Sequence, residues 1–588
     1  MLELLVIFII PVGMLIIGSF IVYYINLKKH LHLLQLEDYE ADRMLRVVFR
    51  SKSQIINSIL KIVGLTLLLI TVLYIARSAA FGKSLIITVP LLYFYIALEF
   101  YRRFWETHKT TQTTKKPLVM TKRARRILWT SILLFPILLL IITVPVNCFD
   151  NFCTATPYYS YITEQIGSIY HHSISDTAVF YLRIATSVFL FLVLLSLREL
   201  AMLPLSLAVI LLKPVESSIQ NRYLKDAKRI LKEMNPLVIG ITGSYGKTSV
   251  KELLSAMLAE KYNVFRPPGS YNTLMGVTRI IREQLRPFHE VFIVEMGAYR
   301  IGSIAKLCRL VEPKYGIITI IGVQHLERFK TRENIKTAKG ELVRALPNVG
   351  IAVLNGDDPA CREIGGGFDG KVVYFSMKEA DPAIPTIVVQ NISISSKGSD
   401  FDLIYPDSEK SSVHLSLLGR SAIVNAATAA AMADQLGVSR RSITQVLASI
   451  PHVKHRLEPI QREGGVTVLD DAFNSNPIGA KNALEVLAGS EGGKRILVTP
   501  GMVELGELEE EANYEFGKQA AEACDLVVLV GKARIEPIKK GLLDAGFSED
   551  QIWVESSLNG AIERFSSVLQ TGDTMLLEND LPDQYDSL

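Results

Sequence analysis

Residues 236–249 read Pro-Leu-Val-Ile-Gly-Ile-Thr-Gly-Ser-Tyr-Gly-Lys-Thr-Ser. The apolar run from Leu237 to Ile241 predicts a short buried strand, the glycines at 243 and 246 a tight turn, and Lys247 the opening of a helix. In a strand, glycine-rich turn and helix N-terminus, backbone N–H groups converge where a phosphate can sit. Thr242, Gly243, Ser244, Tyr245, Gly246, Lys247, Thr248 and Ser249 are therefore candidate nucleotide-binding residues. Lys247 would reach the outer phosphates, and the Thr248 hydroxyl would hold Mg²⁺. The strict phosphate-loop pattern wants glycine where this chain has Ile241, so the reading leans on the strand, turn and helix around it.

Working outward, 588 residues leave room for three or four domains. A net charge of +4 is close to balance, so bulk charge does not call for a nucleic-acid partner. Cys148, Cys153, Cys308, Cys361 and Cys524 form no CxxC and no zinc-like cluster. Mean hydropathy is +0.27, high for a soluble enzyme, with the excess in the first two hundred residues.

That excess predicts an N-terminal α-helical membrane region, residues 1–200, with about five spans near Leu4–Tyr24, Ile55–Ile75, Leu85–Phe100, Ile127–Val146 and Ala178–Leu197. Basic residues crowd the segments after the first run and before the fourth, whereas 147–177 contains no Lys or Arg. The positive-inside rule then predicts a multi-pass plasma-membrane protein in contact with membrane lipids, its N-terminus outside and residue 200 onward cytoplasmic. Cys148 and Cys153 would share an exterior loop, either as a disulfide or as two thiols. Residues 201–235 read as an interfacial amphipathic linker that begins with the short apolar run Leu203–Leu212.

From Pro236 short apolar strands alternate with helical patterns, which predicts βαβ units, a mostly parallel sheet and a ligand site along its C-terminal edge. Strands are expected at Leu237–Ile241, Asn263–Phe265, Val291–Met296, Tyr315–Ile320, Gly350–Asn355 and Lys371–Phe375, followed by a small β excursion over Ile387–Leu418. Polar residues gather at the predicted strand ends: Glu295, then Gln324-His325, then Asn355-Gly-Asp-Asp358. A second alternating block after His455-Arg456 predicts a separate Rossmann-like domain that lacks GxGxxG. The expected division is an α/β phosphate-loop domain over 236–452 and a Rossmann-like α/β domain over 453–588.

Several stretches occur in one family's order. The core Thr242-Gly-Ser-Tyr-Gly-Lys-Thr248 resembles the shorter phosphate loop of the Mur ligases. Tyr271-Asn-Thr273 with Gly276, Glu295-Met-Gly-Ala298, His325-Leu-Glu-Arg-Phe329 and Ala338-Lys-Gly-Glu341 resemble motifs of their central domain. Asp470-Asp-Ala-Phe-Asn-Ser-Asn-Pro477 and Met502-Val-Glu-Leu-Gly506 look most like the branch that adds D-alanyl-D-alanine. The resemblance covers residues 236–588.

It implies an ATP- and Mg²⁺-dependent amide ligase of cell-wall precursor synthesis, in which a carboxylate becomes an acyl phosphate and an amine attacks it. Lys247 and Mg²⁺ would neutralise charge on the transferring phosphoryl group. Thr248 and Glu295 would hold the first metal, His325 and a carbamylated Lys339 a second. Asn425 would contact adenine, Arg456 the γ-phosphate and Asp471 the ribose, with Asn474 nearby; Lys247, His325, Lys339 and Arg456 form the expected catalytic set. Taken singly, a strand-end Glu is usually a solvated charge, a lone His structural and a lone Lys a surface residue.

Two departures bear on substrate. The family's UDP-binding N-terminal domain has no counterpart here, and 577–585, where the family carries Lys-Gly-Ser, reads Leu-Glu-Asn-Asp-Leu-Pro-Asp-Gln-Tyr. Those carboxylates suit an amine-bearing acceptor, or form a solvated acidic tail. The partners implied are a small-molecule or lipid-linked carboxylate donor and an amine acceptor, without nucleic acid. An ATP-binding membrane regulator that has lost ligase activity is the rival from another class.

Overall fold

The computed structural model describes residues 23–35, 39–40, 44, 118–134, 137 and 202–579, the last stretch without 324, 379–383, 396–397, 463, 473–474, 532–534, 556–557 and 566–568. The chain divides into two compact units, Met1–Ser218 and Ile219–Asp586.

In the first unit, residues 23–35 and 122–134 are helical, as is the start of α1 (Met202–Met234). Tyr23, Leu27, Leu31 and Leu34 recur at helical spacing and bury one face against Ala124, Ile127, Leu128, Leu205 and Ala208. The Tyr23 hydroxyl donates to the Ser131 carbonyl across 3.0 Å, and Arg126 pairs with Glu216 at 2.7 Å.

Among the described residues no helix is long and apolar enough to cross a membrane. The expected N-terminal membrane region and the multi-pass localisation are thereby not supported. The reason is physical. The described helical residues 23–35 carry Lys28, Lys29, His30 and His32 among the apolar ones. The helix over 122–134 opens on Lys122, Arg123, Arg125 and Arg126. Leu203–Leu212, the apolar start of the expected linker, lies inside the 33-residue helix α1. The runs expected at 55–75, 85–100 and 178–197, and Cys148 and Cys153, lie outside the described residues.

The second unit holds two α/β bodies, as the alternation predicts. The first begins with β1 (Leu237–Thr242), α2 (Lys247–Ala259), β2 (Val264–Phe265), α3 (Leu274–Gln284), β3 (Val291–Glu295), α4 (Ser303–Val311) and β4 (Tyr315–Ile318). It continues with α5 (Leu326–Phe329), α6 (Arg332–Arg344), β5 (Ile351–Asn355), α7 (Pro359–Gly366) and β6 (Lys371–Ser376). Then come β7 (Thr386–Ser395), β8 (Gly398–Ile404), β9 (Lys410–Leu415), α8 (Arg420–Gln435) and α9 (Arg440–Ser449).

Its nine strands run in the order β2-β3-β1-β4-β5-β6-β7-β8-β9. They are parallel as far as β7, and the excursion β7-β8-β9 closes the sheet with antiparallel pairs. After β1 the chain builds outward on one side through β3 and β2, then crosses to β4 on the other. Such a switch opens a crevice at the strands' C-terminal ends, directly above β1.

Alternate residues of each strand feed two cores. Ile239 and Ile241 pack with α2 and the alanine-rich α8. Val238 packs on the other face with α3, α4, α6 and Ala227 and Leu231 of α1. Each such Leu or Ile buried contributes about 1.5–3 kcal/mol.

The second body contains β10 (Glu458–Gln461), β11 (Thr467–Asp471), α10 (Pro477–Ala488), β12 (Arg495–Thr499), α11 (Glu509–Ala523), β13 (Leu526–Val530) and α12 (Ile535–Asp544). It ends with β14 (Ile552–Glu555), α13 (Leu558–Phe565) and β15 (Thr574–Glu578). Strand order is β10-β11-β15-β12-β13-β14, parallel except for the edge pair β10-β11. Pro459 in β10 can donate no ladder hydrogen bond, which confines it to an edge and hid this strand from the pattern.

Candidate active site

The turn after β1 is shaped by two glycines for which no other residue substitutes. Gly243 has φ 145° and Gly246 φ 79°. A Cβ on Gly243 would lie 2.0 Å from Thr319 Oγ1, and one on Gly246 2.3 Å from Asn425 Oδ1. The loop is thus seated on the neighbouring strand end and on α8.

Its polar side chains divide into structural and cleft-facing groups. Thr242 is buried and donates to the Met296 carbonyl at 2.9 Å. Ser244 Oγ donates to the Gly322 carbonyl and Ser244 N–H to the Ile320 carbonyl, at 3.0 and 2.8 Å. These bonds lace the loop to the segment after β4. Lys247 curls back over the loop, donating to the Gly243 and Ser244 carbonyls at 2.8 and 3.1 Å, which leaves one ammonium N–H for a ligand.

Beside Lys247, Thr248 Oγ1 donates to Glu295 Oε2 at 3.1 Å, and Asn272 Nδ2 donates to Glu295 Oε1 at 3.1 Å. Glu295 closes β3, adjacent to β1, so the pairing register delivers it to the loop. Lys251, one turn into α2, is wholly buried; it donates to the Pro267 carbonyl at 3.0 Å and to that of Gly269, and lies 3.9 Å from Glu295. It ties down the segment that presents Asn272.

His325, Lys339 and Arg456 line the same cleft, about 230 Å³, as Lys247, Thr248 and Glu295. Lys339 lies inside α6 and is 2% exposed. That helix is capped by Thr331, whose hydroxyl accepts the Asn334 N–H at 3.2 Å. Two residues on, Glu341 is buried and accepts N–H groups of Gly302 and Ala305 at the start of α4, so it is a helix-capping group.

Lys247, Lys339 and Arg456 therefore line one cleft with Glu295, and their titration reflects it. Burial pushes the Lys247 ammonium down to about 8, opposed by Glu295 and assisted by Arg456. Burial and then the Lys247 charge hold Lys339 well below the ordinary lysine range. Burial also lowers Arg456, with Asp471, Glu295 and Glu578 opposing. A buried surplus of positive charge is costly unless an anion completes it. The cleft is built for a polyanion.

A second cleft of about 120 Å³ continues past Tyr245, Gly246, Arg456 and Asn476 and is lined by Asn425 and Asp471. Arg456 is delivered by a taut strap: His455 and Leu457 on either side both have positive φ, 58° and 49°. His455 Nδ1 is 2.8 Å from Asp470 Oδ2, and Leu457 N–H donates to Asp471 Oδ1 at 3.2 Å. Such conformations persist only when neighbours enforce them. Asn474 lies outside the described residues.

The donors around Thr248 and Glu295 suit a hard divalent cation. Among the described residues no three His, Cys, Asp or Glu side chains converge. A cation there would take hydroxyl and carboxylate oxygen from Thr248 and Glu295 and complete its shell from a ligand or water, as Mg²⁺ commonly does. His325 Nδ1 is engaged by the Glu504 carboxylate, so only its other ring nitrogen could serve a metal.

A sequence profile of the Mur ligase middle domain matches residues 241–433, and one of the Mur ligase glutamate ligase domain matches 455–578. The UDP-N-acetylmuramoyl-tripeptide–D-alanyl-D-alanine ligase of Escherichia coli is 31% identical over 335 residues, which span 55% of this chain and 73% of that protein. The chain belongs to the Mur ligase family. Proteins of the same name from Mycobacterium bovis and Mycobacterium tuberculosis are 33% identical over 306 residues, 50% of this chain. The chain spans 59% of the length of those relatives. The MurF ligase of Thermotoga maritima, solved in complex with ADP, superposes with a TM-score of 0.55 at 27% identity, covering 63% of this chain and 82% of that one.

Three residues of this Mur ligase site carry no role in the sequence reading. Asn272 holds Glu295, Asn476 caps α10 and lines both clefts, and Glu504 grips His325. Asn272 and Glu504 lie in motifs quoted above, so a signal existed. The bonding that gives them a role spans 23 and 179 residues and is invisible locally.

Proposed function

We propose that this Mur ligase family member is an ATP- and Mg²⁺-dependent amide ligase of cell-wall precursor synthesis, joining UDP-N-acetylmuramoyl-tripeptide to D-alanyl-D-alanine. The observation that carries the reading is the convergence of Lys247, Lys339 and Arg456 on Glu295 in one buried cleft above β1. The named relatives supply the choice of donor and acceptor.

In this reading Lys247 and Arg456 bind the outer phosphates of ATP and neutralise charge as the γ-phosphoryl group moves to the donor carboxylate. Asn425 faces adenine and Asp471 the ribose. Thr248 and Glu295 would hold Mg²⁺, which would supply further charge neutralisation on the phosphates. The carboxylate oxygen bonds to phosphorus as ADP leaves. The acceptor amine then bonds to the acyl carbon, phosphate departs, and the amine's surplus proton is lost. Burial disfavours the Lys339 ammonium, and its amine would react with CO₂ to give a carbamate with release of a proton, an anionic oxygen ligand beside His325.

The test is phosphate release from ATP in the presence and absence of donor and acceptor. Release that requires both supports the reading. Release indifferent to both removes the ligase assignment.

A further inference from the structure

At the C-terminal edge of the second sheet, Asp471 and Glu578 are register partners on the parallel neighbours β11 and β15. Partners in register project to the same face, so two carboxylates stand side by side. The charged groups facing Glu578 are Asp471 from β11 and Arg456 from the strap before β10. On the other side β12 ends in Thr499, buried and uncharged. Two carboxylates thus share one guanidinium.

Their surroundings are unequal. Asp471 is partly exposed in the nucleotide cleft and accepts the Leu457 N–H. Glu578 is 1% exposed; its Oε1 accepts the Ser475 hydroxyl, and its Oε2 has no hydrogen-bond partner among the described residues. A buried carboxylate with one bare oxygen is far costlier as an anion than as a neutral acid. Glu578 is also fixed in place: the adjoining Asn579 accepts the Ser475 N–H at 3.3 Å and donates to the Gly501 carbonyl at 2.6 Å.

We propose that Glu578 is a positioning residue held as a neutral acid, which leaves Asp471 as the only ionised member of the carboxylate pair beside Arg456 and keeps that guanidinium turned toward the nucleotide. The nucleotide part rests on the function proposed above; the protonation part does not. Burial, then the Asp471 charge, raise the Glu578 carboxyl well above its usual range, in keeping with the geometry. If Glu578 ionises, its carboxylate competes with the ligand's phosphates for Arg456.

Three measurements on the full chain test this, with Glu578→Gln as the isosteric neutral variant. By infrared spectroscopy at neutral pH, the wild type should show the carbonyl stretch of a buried protonated carboxylic acid, absent from Glu578→Gln. In thermal melts the variant should gain on the wild type as pH rises from about 5 to 9. The sign follows because a raised carboxyl holds a proton that the unfolded chain has already lost, so wild-type stability falls with pH in that window. Titrated with Mg-ATP, the two proteins should bind alike near about pH 6, and the variant several-fold more tightly near about pH 9. No acid band, or a difference in melting temperature between variant and wild type that does not change with pH, overturns the proposal. Equal ATP affinities at both pH values overturn the positioning role. Failure of both proteins to bind ATP at any pH overturns the nucleotide part together with the function proposed above, while the first two measurements still decide the protonation state.

Discussion

His325 Nδ1 and the Glu504 carboxylate form a hydrogen-bonded pair that joins the two α/β bodies across the active-site cleft. Arg328 lies 3.8 Å from the other Glu504 oxygen, and Glu327 N–H meets the Glu504 carbonyl at 3.4 Å. Both paired residues have left-handed backbones, φ 57° and 65°. Burial holds the imidazole below its ordinary value despite the carboxylate, so its second nitrogen remains an acceptor at neutral pH.

Removing the pair should loosen one body from the other. Glu504→Ala deletes a hydrogen bond to a charged partner and strands His325, a cost of about 1–3 kcal/mol. Hydrogen exchange should accelerate in 325–330 and 502–506 while the strands of both sheets keep their protection. Unchanged exchange in both segments would show that the pair does not hold the bodies together.

The Thr248–Glu295 contact predicts a metal phenotype. Glu295→Gln keeps the size and the Asn272 neighbour but removes the charge. Turnover should fall by about 10²-fold or more and the Mg²⁺ needed for half-maximal rate should rise. An unaltered Mg²⁺ titration would place the cation elsewhere.

The proposed role of Lys247 makes ATP binding depend on pH. With its ammonium pushed down to about 8, ATP affinity should decline as pH climbs past that value. Fold stability should move the other way. Between about 8 and the ordinary lysine value the unfolded chain holds the proton that the folded chain has lost, so this group's contribution rises with pH. Lys247→Arg, charged throughout, should remove both trends; retention of both would assign them to another group.

Lys339→Ala should be inactive and should regain part of its turnover when short carboxylates are added to fill the vacated anionic position. Full activity in that variant without additive would refute the carbamate role.

What the sequence reveals here is what local physics dictates. The positive φ at Gly243 and Gly246, the strand before them and the helix after them are all requirements of one short stretch. Strand and helix alternation made the α/β bodies readable for the same reason. Hydropathy in the N-terminal unit misled because it sums apolar residues without asking where they point. Ile127 and Leu128, at the start of the expected fourth span, are buried against Tyr23, Leu27 and Leu31. Glu504 and Glu578 stayed illegible because their partners come from distant stretches: Glu504 meets His325, and Glu578 meets Asp471 only through strand order.

In the proposed reaction this cleft turns a carboxylate into an acyl phosphate. The most direct test of that step uses UDP-N-acetylmuramoyl-tripeptide labelled with ¹⁸O in the reacting carboxylate, with Mg-ATP and D-alanyl-D-alanine, and mass analysis of the released phosphate. Phosphorylation through a carboxylate oxygen followed by amine attack predicts that each phosphate carries one ¹⁸O. Unlabelled phosphate would contradict the account, since ATP would then have been split by water.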